Sequence, residues 1–469
     1  MNYKSILSNM SVAFLAQGTA MLFGVLQSLI VPKLLGVESF GYWQLFLFYS
    51  SYAGFFHFGL NDGVYLTKGG QTRDQIDKEF VFSQFVFGIL FEMVLGALIA
   101  LAAMFMRLDA NRSFVVVSFC FMMVITNAMN YISFTLQAMN ETKRSSYIAI
   151  ISKVVYIIPL MLFIIMGIST YQPYITTYVI STAVGLLYGM WYMRDFIREG
   201  LPTFPQMVCS GLHCISVGIN LMVSNIAAGL IIGFVRFIID AKWGITTFGK
   251  LSLSLSIVNL FLQFVSQASL VLFPALRQSD KREMSSFFHA LRDGMSLFMP
   301  AIYLLYFPFV WALSLWLPDY AESLSKFAFL IPICAFDGKM DIYCSTYFKV
   351  DRKEKLLLQI NLASVAFNAV GTIIGAYIIN SVDFILIWAV ITIIGRSSVS
   401  DHIASQSLGL TDERMGLQEI IITALFIVST QTLPNSATIL LYAMAYLVFL
   451  FLNRERATEI LGGVRSIFV

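Results

Sequence analysis

The chain has 469 residues, of which 58% are hydrophobic and 12% are charged. Soluble domains average roughly a quarter charged residues, so this composition excludes a soluble enzyme. The net charge of +3 is too small to indicate nucleic acid as a partner. Long apolar stretches recur along the whole length, and about twenty such residues in a helix cross a hydrocarbon core of about 30 Å. The composition therefore predicts an all-α polytopic membrane protein.

Fourteen apolar segments, separated by short polar connections, extend along the chain. They lie near residues 9–32, 42–66, 80–106, 113–138, 146–167, 174–193, 211–239, 248–272, 294–317, 325–348, 356–379, 382–400, 418–433 and 436–452. With a cytoplasmic N-terminus, the inner connections carry 21 of the 30 Lys and Arg residues and the outer connections carry five. Cytoplasmic loops are enriched in these residues, so both termini are predicted to be cytoplasmic.

A short glycine-containing motif occurs twice. The pattern Gly-x-x-x-Phe-Gly joins the first two segments at residues 36–41 and the seventh and eighth segments at residues 244–249. Because six segments separate the copies, both halves enter the membrane from the same side, as in a parallel repeat. We therefore expect two six-helix lobes related by a pseudo-two-fold repeat, plus two C-terminal helices. The predicted regions are 1–200 (N-lobe), 201–410 (C-lobe) and 411–469 (the last two helices and a cytoplasmic tail).

The first copy of the motif lies in a stretch with a familiar pattern. In residues 23–63, Gly-x-x-x-Phe-Gly-Tyr-Trp begins at Gly36, and Gly59 and Gly63 follow. This stretch resembles the opening two helices of bacterial polysaccharide flippases. These proteins form the Wzx-like branch of the multidrug/oligosaccharidyl-lipid/polysaccharide exporter superfamily.

The second copy of the motif resembles the start of the second lobe in the same family. Residues 229–274 contain Arg236, the repeated motif and a Phe-Pro pair at the end of the eighth segment. The family commonly has an acidic residue just before this arginine. Here Val235 stands in that position and Asp240 follows one turn later, so the role of Arg236 is open.

The resemblance implies a fold, a substrate and a location. The fold would be a V-shaped pair of six-helix lobes around a central cavity that opens alternately to the two sides of the membrane. The substrate would be an undecaprenyl-pyrophosphate-linked sugar unit for O-antigen, capsule or exopolysaccharide, carried across the bacterial cytoplasmic (inner) membrane. Membrane lipid and other polysaccharide-assembly proteins are the implied partners. Residues 418–452 are the candidates for a groove that holds the lipid tail.

Four cationic side chains fall within the apolar segments: Lys153, Arg236, Lys250 and Lys339. A cation at the centre of a membrane helix costs about 2.5–3.5 kcal/mol, so such residues usually face a partner or water. All four are candidates to meet a pyrophosphate at successive depths. Two alternatives stay open: Arg236 pairs with Asp240 four residues later, or Lys153 and Lys250 extend to the lipid headgroups.

Three acidic residues also fall within the segments. Glu92 lies at the centre of the third segment, and Asp337 and Asp341 lie four apart in the tenth. Asp337 and Asp341 therefore share a helix face, whereas Lys339 points about 200° away and requires a partner on another helix. These acids are candidates for H⁺ or Na⁺ coupling, and a structural hydrogen bond is the alternative. No other cofactor is expected.

Polar residues in the second and fourth segments are candidates for contacts with sugar hydroxyls. They are His57, Asn61, Asp62, Asn127 and Asn130. Hydrogen bonding between helices is the alternative explanation for polar residues in membrane segments. The four histidines of the chain are scattered, so no metal site is predicted.

These observations favour a flippase over two alternatives. Residues 244–251 approach a phosphate-binding loop, but Leu251 replaces the required Ser or Thr and no strand precedes the loop, so ATP hydrolysis is not expected. Short connections leave no room for the acceptor site of an enzyme of polymer assembly. A drug-type antiporter of the same superfamily remains the alternative, although buried cations favour an anionic substrate. The energy for transport would come from an ion gradient, from the membrane potential or from consumption of the transported substrate downstream.

Overall fold

The computed structural model describes residues 3–198, 200, 203–278, 281–409, 414–458 and 460, with side chains described outside 3–11, 13–14, 224–225 and 266–287. The predicted tail beyond residue 460 lies outside this part. Contacts divide the chain into two compact units, Met1–Ile226 (unit 1) and Ala227–Val469 (unit 2).

Unit 1 consists of helices connected by short turns. They are α1 (Tyr3–Val25), α2 (Val31–Ser51), α3 (Leu60–Lys68), α4 (Lys78–Phe105), α5 (Ala110–Ala138), α6 (Thr142–Met166), α7 (Tyr171–Tyr192), α8 (Arg194–Ile197) and α9 (Phe204–Ala227). Asp77 and Asp109 cap α4 and α5 by accepting hydrogen bonds from backbone N–H groups of the first turn. Helix α5 lies at the centre and packs against α2, α3, α4, α6 and α7.

Unit 2 is helical in the same way. Its helices are α10 (Leu230–Gln278), α11 (Lys281–Phe298), α12 (Ile302–Trp316), α13 (Ala321–Leu330), α14 (Pro332–Lys339), α15 (Ser345–Val350), α16 (Glu354–Ile374), α17 (Val382–Ser407), α18 (Arg414–Thr432) and α19 (Asn435–Leu452). In the described part of the chain, 11 helices are long and apolar enough to cross a membrane. The predicted all-α polytopic fold is confirmed, and each of the fourteen predicted segments contains helix, although several are interrupted.

The repeated glycines adopt the same unusual backbone conformation in the two units. Gly36 has φ 66° and ψ 176° and interrupts α2, and Gly244 has φ 78° and ψ −177° and interrupts α10. This region is accessible essentially only to glycine. The repeat that the spacing predicts therefore has a counterpart in backbone geometry, because each copy of the motif begins with an abrupt turn between two membrane segments.

Gly244→Ala is expected to lower the free energy of unfolding by about 1–3 kcal/mol, because alanine is strained in this conformation. A Cβ atom at Gly244 meets no heavy atom within 4 Å, so the loss would report backbone strain and not a steric clash. Thermal unfolding of the detergent-purified protein measures it. The control is Gly395→Ala in α17, where a Cβ also meets nothing but the backbone is helical. Equal unfolding temperatures for the two variants would contradict the prediction.

The second membrane segment is broken in its interior. Helix α2 ends at Ser51, a short 3₁₀ turn covers Ala53–Phe55, and α3 begins at Leu60. Two residues with positive φ, Phe58 at 48° and Gly59 at 92°, lie between the two helices. The break leaves backbone carbonyl groups without helical partners inside the membrane segment, so other polar groups must satisfy them.

Helix α9 packs in unit 1 through a contact between glycines. A Cβ atom added to Gly218 would lie 2.0 Å from the backbone oxygen of Gly59, and one added to Gly63 would lie 2.0 Å from that of Cys214. Only glycine permits backbones to approach this closely. The compact unit thus includes α9, whereas the sequence analysis assigned residues from 201 onward to the second lobe. The assignment of residues 1–200 and 201–410 to two transport lobes stays a prediction.

Arg73 forms contacts that join three interhelical loops at the predicted cytoplasmic end of unit 1. Its guanidinium lies 3.0 Å from Glu141 Oε2 and 2.6 Å from Asp195 Oδ1, and it donates a hydrogen bond to the Tyr192 carbonyl. Lys78 lies 3.1 Å from the other Asp195 oxygen. Burial raises the pKa of Asp195, but hydrogen bonds from Arg73 and Lys78 outweigh burial, and the pKa lies below its usual value.

Candidate functional site

Lys339 is paired with an acidic residue near the C-terminal end of the chain. Its Nζ lies 2.6 Å from Oε2 of Glu419, and the two side chains are 5% and 0% exposed. Helix α14 carries Lys339 and α18 carries Glu419. The sequence analysis required a partner for Lys339 on another helix, and that partner is Glu419.

Two more ion pairs join helices of unit 2. Arg396 Nη2 in α17 lies 2.5 Å from Asp337 Oδ1 in α14. Arg292 Nε in α11 lies 3.0 Å from Asp401 Oδ2 in α17. Both arginines are almost completely buried. Together with the Lys339 pair, these contacts connect α11, α14, α17 and α18, and each balances a cation with an acid.

A cavity of ≈ 700 Å³ lies beside these pairs in unit 2. Its lining comprises Arg292, Phe336, Lys339, Ser397, Ser398, Asp401, His402, Arg414, Gly416, Leu417 and Ile420. Its volume falls within the range of about 300–1,000 Å³ that is typical of small-molecule sites. Its lining is polar: Ser397 and Ser398 contribute hydroxyl groups, and Arg292 and Lys339 are paired with Asp401 and Glu419.

Asp337 and Asp341 are close enough for their charges to interact, as their spacing of four residues predicts. Residues Met340–Cys344 form a π-helical turn directly after α14. This wider turn changes the angular spacing of the side chains that follow. Asp337 is half-buried against Arg396, whereas Asp341 is exposed.

Arg236 and Lys250 each have partners in unit 2. Arg236 Nη2 donates to Ser252 Oγ at 3.0 Å, and its guanidinium lies 5.0 Å from the centre of the Phe248 ring. Lys250 Nζ lies 2.8 Å from Oε2 of Glu322, in a pair whose side chains are 28% and 75% exposed. The hydrogen bond from Lys250 lowers the pKa of Glu322. Such an exposed pair contributes little to stability.

Lys153 differs from the other three candidate cations because aromatic rings surround its ammonium group. Its Nζ donates to the Tyr178 hydroxyl at 3.0 Å and lies 4.2 Å from the centre of the Phe23 ring. Tyr156 packs edge-on against both rings, and Trp43 stacks on Tyr156. No carboxylate in the described part of the chain pairs with Lys153, and its side chain is only partly buried. Cation–π contact stabilises the charge and leaves it unneutralised.

Four of the five predicted sugar-contact residues lie in the interior of unit 1. His57, Asn61, Asp62 and Asn127 are all less than 10% exposed. Asn61 donates to the Asn127 carbonyl, and Asn127 donates to the Ala53 carbonyl at the break in the second segment. His57 Nδ1 accepts from the Gly59 N–H group, and His57 Nε2 lies 4.0 Å from Asp62. The structure therefore brings these four together as hydrogen-bonding groups around the break.

The remaining candidates lie on α4 and α5. Asn130 is half-buried. Glu92 is 3% exposed, and the side chain of Asn127 adjoins its carboxyl group. Among the residues with described side chains, no group of three or more His, Cys, Asp or Glu residues is arranged to hold a metal ion.

Four residues of the unit 2 network were not identified as candidates from the sequence: Glu419, Arg396, Arg292 and Asp401. Glu419 is the second residue of the predicted segment 418–433, where a carboxylate is easily read as the polar boundary of the segment. Arg396 was counted with the inner connections although it lies within the predicted segment 382–400. Charges near segment ends are the signal that would have identified them.

Comparisons with known proteins agree with this architecture. Residues 6–280 match the family described as polysaccharide biosynthesis protein, which is more than half of the chain. The chain belongs to this family. A search of curated proteins found no match.

Solved structures with the same fold include flippases and multidrug transporters. The lipid II flippase MurJ in an inward closed conformation has a TM-score of 0.64 and 14% identity, over 96% of this chain and 99% of that chain. An inward-facing MATE family multidrug resistance transporter of the MOP superfamily has a TM-score of 0.61 and 13% identity, over 86% and 98%. A MOP superfamily transporter from Pyrococcus furiosus has a TM-score of 0.53 and 14% identity, over 87% of this chain and 96% of that chain. The chain is thus a multi-pass membrane protein with a flippase and transporter fold.

Proposed function

We propose that this protein is a flippase for a lipid-linked oligosaccharide with an anionic head group. The substrate is an undecaprenyl-pyrophosphate-linked repeat unit of O-antigen, capsule or exopolysaccharide. The protein moves it across the bacterial cytoplasmic membrane by alternating access, with both termini in the cytoplasm. Other polysaccharide-assembly proteins make and consume this substrate.

The observation that carries the proposal is the environment of Lys153. A charged group inside a membrane segment costs about 2.5–3.5 kcal/mol unless something compensates for it. Lys339 and Lys250 each have an acidic partner, but Lys153 has only aromatic rings and the Tyr178 hydroxyl around it. An ammonium held in this way keeps its charge for an anion that arrives and leaves.

The cavity in unit 2 supports the same substrate class. Arg292, Lys339 and Arg414 contribute cationic groups to its wall, and Ser397 and Ser398 contribute hydroxyl groups. A phosphorylated sugar has phosphate oxygens that could contact the cationic groups and hydroxyl groups that could hydrogen-bond to the serines. The chain belongs to a family described as polysaccharide biosynthesis protein, and it shares its fold with a lipid II flippase. Both findings support a lipid-linked sugar as the substrate.

Lys153→Met is expected to slow translocation of a fluorescent polyprenyl-pyrophosphate disaccharide in proteoliposomes by about tenfold to hundredfold. The estimate corresponds to loss of one hydrogen bond to a charged group, about 1.5–3 kcal/mol. Protein abundance should not change, because no carboxylate loses its partner. Lys153→Arg should retain most of the activity, since it keeps the charge.

The matched control is Lys242→Met. Lys242 also lies against aromatic rings, 5.1 Å from the centres of both Trp243 and Tyr377, but it lies in a predicted outer connection. This variant should translocate the substrate at the wild-type rate. A wild-type rate for Lys153→Met would remove Lys153 from the transport pathway.

The second candidate function is a small-molecule antiporter. The fold is shared with a MATE family transporter at a TM-score of 0.61, and unit 1 contains the buried carboxylate of Glu92. The two functions differ in the sign of the substrate charge. Proteoliposomes that accumulate a cationic dye and do not move the pyrophosphate-linked sugar would favour the antiporter.

A further inference from the structure

The cavity in unit 2 is lined by the cation of the Lys339–Glu419 pair but not by its acid. Lys339 lies on the cavity wall, whereas Glu419 is 0% exposed and is not part of the lining. The contact of 2.6 Å between Lys339 Nζ and Glu419 Oε2 uses one of the three donors of the ammonium group. Lys339 therefore touches both a buried carboxylate and a cavity of ≈ 700 Å³.

Arg292 presents a second cationic group to the same cavity. Its Nε donates to Asp401 Oδ2 at 3.0 Å, and no acceptor among the described residues bonds its two Nη nitrogens. Those nitrogens are not sealed from solvent, in contrast to Nε and Nη1 of Arg396. Because Arg292 is buried and lines the cavity, its Nη groups face the cavity. Part of the guanidinium fork is thus available to an anion that enters.

The rest of the wall also suits a phosphate group. Ser397 contributes a hydroxyl group, and Gly416 in the first turn of α18 leaves space, since a Cβ atom there meets no heavy atom within 4 Å. The first turn of a helix favours anions. Asp401 is the acid within the lining, and Arg292 Nε holds one of its oxygens. The wall therefore offers donors from Lys339 and Arg292 to phosphate oxygens.

Glu419 opposes any anion that reaches Lys339. A phosphate group on the cavity side would share the ammonium group with the carboxylate, and two negative charges around one cation repel each other. The same carboxylate compensates the charge of Lys339 while no anion is present. A transport site must release its substrate as well as bind it. One carboxylate thus stabilises the empty site and favours release from the filled one.

We propose that Glu419 is a tethered counter-ion, which pairs with Lys339 in the absence of substrate and weakens the binding of the substrate's pyrophosphate group. The inference rests on the proposed function, because it names the unit 2 cavity as a place where that group binds. Lys339 and Arg292 bind phosphate oxygens, and Glu419 is a positioning residue that sets how tightly they do so. Helix α18 then contributes to head-group binding, besides the predicted role of residues 418–452 in holding the lipid tail.

The test is the binding of inorganic pyrophosphate to detergent-purified Glu419→Gln. Glutamine keeps the shape of glutamate and an oxygen acceptor for Lys339 Nζ, but it removes the competing charge. We expect its Kd for pyrophosphate to be about tenfold to hundredfold lower than that of the wild type. Without pyrophosphate the variant should unfold at a lower temperature than the wild type. Pyrophosphate should then raise the unfolding temperature of the variant by the larger amount.

Two control variants separate the charge of Glu419 from other effects. Glu419→Asp keeps the carboxylate, so its Kd should stay close to that of the wild type. Asp351→Asn removes an acid of the same unit from a partly exposed pair, 2.8 Å from Lys353, and should leave the Kd unchanged. In proteoliposomes, Glu419→Gln should lower both KM and kcat for the fluorescent polyprenyl-pyrophosphate disaccharide, because tighter binding slows release. A purely structural role would not lower KM.

Three results would overturn the inference. Glu419→Gln binds pyrophosphate no more tightly than the wild type, Asp351→Asn tightens binding to the same extent, or pyrophosphate shifts the unfolding temperature of neither the wild type nor Glu419→Gln. If Glu419→Gln binds pyrophosphate more tightly but the wild type moves no lipid-linked sugar, the proposed function fails and the counter-ion role stands. If the wild type moves the sugar and Glu419→Gln has an unchanged Kd and KM, the counter-ion role fails and the proposed function stands.

Discussion

Lys339→Ala is expected to reduce the amount of folded protein in the membrane and to lower the free energy of unfolding by about 3–5 kcal/mol. The reason is the carboxylate of Glu419, which is 0% exposed and lies 2.6 Å from the Lys339 ammonium. Without Lys339, this charge stays buried with no cation to balance it. Fluorescence-detected size-exclusion chromatography after heating measures the loss in detergent-solubilised protein.

The double variant Lys339→Met with Glu419→Leu separates the ion pair from its side effects. Replacing a buried pair by apolar residues of similar volume is often neutral or stabilising, so this variant should recover wild-type thermal stability. A single and a double variant of equal stability would show that the pair has no structural role. Translocation should then be compared between the double variant and wild type, because only that comparison tests the transport role of Lys339 at constant stability.

The Lys339–Glu419 ion pair makes Lys339 and Lys153 unequal as positions at which to test transport. From the sequence alone, Lys339 has the strongest case for a cavity position, because it lies too deep to reach the headgroups. In the structure it lines the unit 2 cavity while it is bound to Glu419. Lys153 has no such acid, so a defect in Lys153→Met is easier to assign to transport than one in Lys339→Ala.

The helices and the sharp turns follow directly from local sequence. Apolar runs of the right length predict membrane-spanning helices, since this property depends on no other part of the chain. The two turns were predictable because Gly36 and Gly244 begin the same six-residue pattern and glycine alone accepts their conformation. The fold class needed no more information than that.

Pairings between distant segments were not predictable in the same way. The need of Lys339 for a partner follows from helix periodicity, but Glu419 lies 80 positions along the chain and nothing local connects the two. The pairing of Asp337 with Arg396 is hidden for the same reason, because the two residues lie 59 positions apart in the sequence.

The break in the second segment was also hidden in the sequence. Residues 42–66 read as one continuous apolar segment, and Gly59 and Gly63 were notable only as part of a family pattern. In the structure, Gly59 has a positive φ at the break, and Gly63 packs against the backbone of Cys214 in α9. The polar residues beside them consequently bond to the exposed backbone of the break, a role that composition alone does not distinguish from contact with sugar.

Gly218→Ala is expected to destabilise unit 1 by about 3 kcal/mol, because the new methyl group has no space. Its Cβ would lie 2.0 Å from the Gly59 oxygen and 2.4 Å from the Gly63 nitrogen, and both are backbone atoms that cannot rotate away. Helix α9 would have to move outward from α3. Thermal unfolding in detergent should therefore occur at a clearly lower temperature than in the wild type.

Gly96→Ala is the matched control for this close approach. Gly96 is also buried and helical in unit 1, but its nearest neighbour to a Cβ is Cys120 at 3.5 Å, an ordinary van der Waals distance. Alanine there should be neutral or slightly stabilising, since it favours helix over glycine. If Gly218→Ala unfolds at the same temperature as Gly96→Ala, then α9 does not pack tightly on α3. If only Gly218→Ala is destabilised, the glycine contact holds α9 beside the break in the second segment.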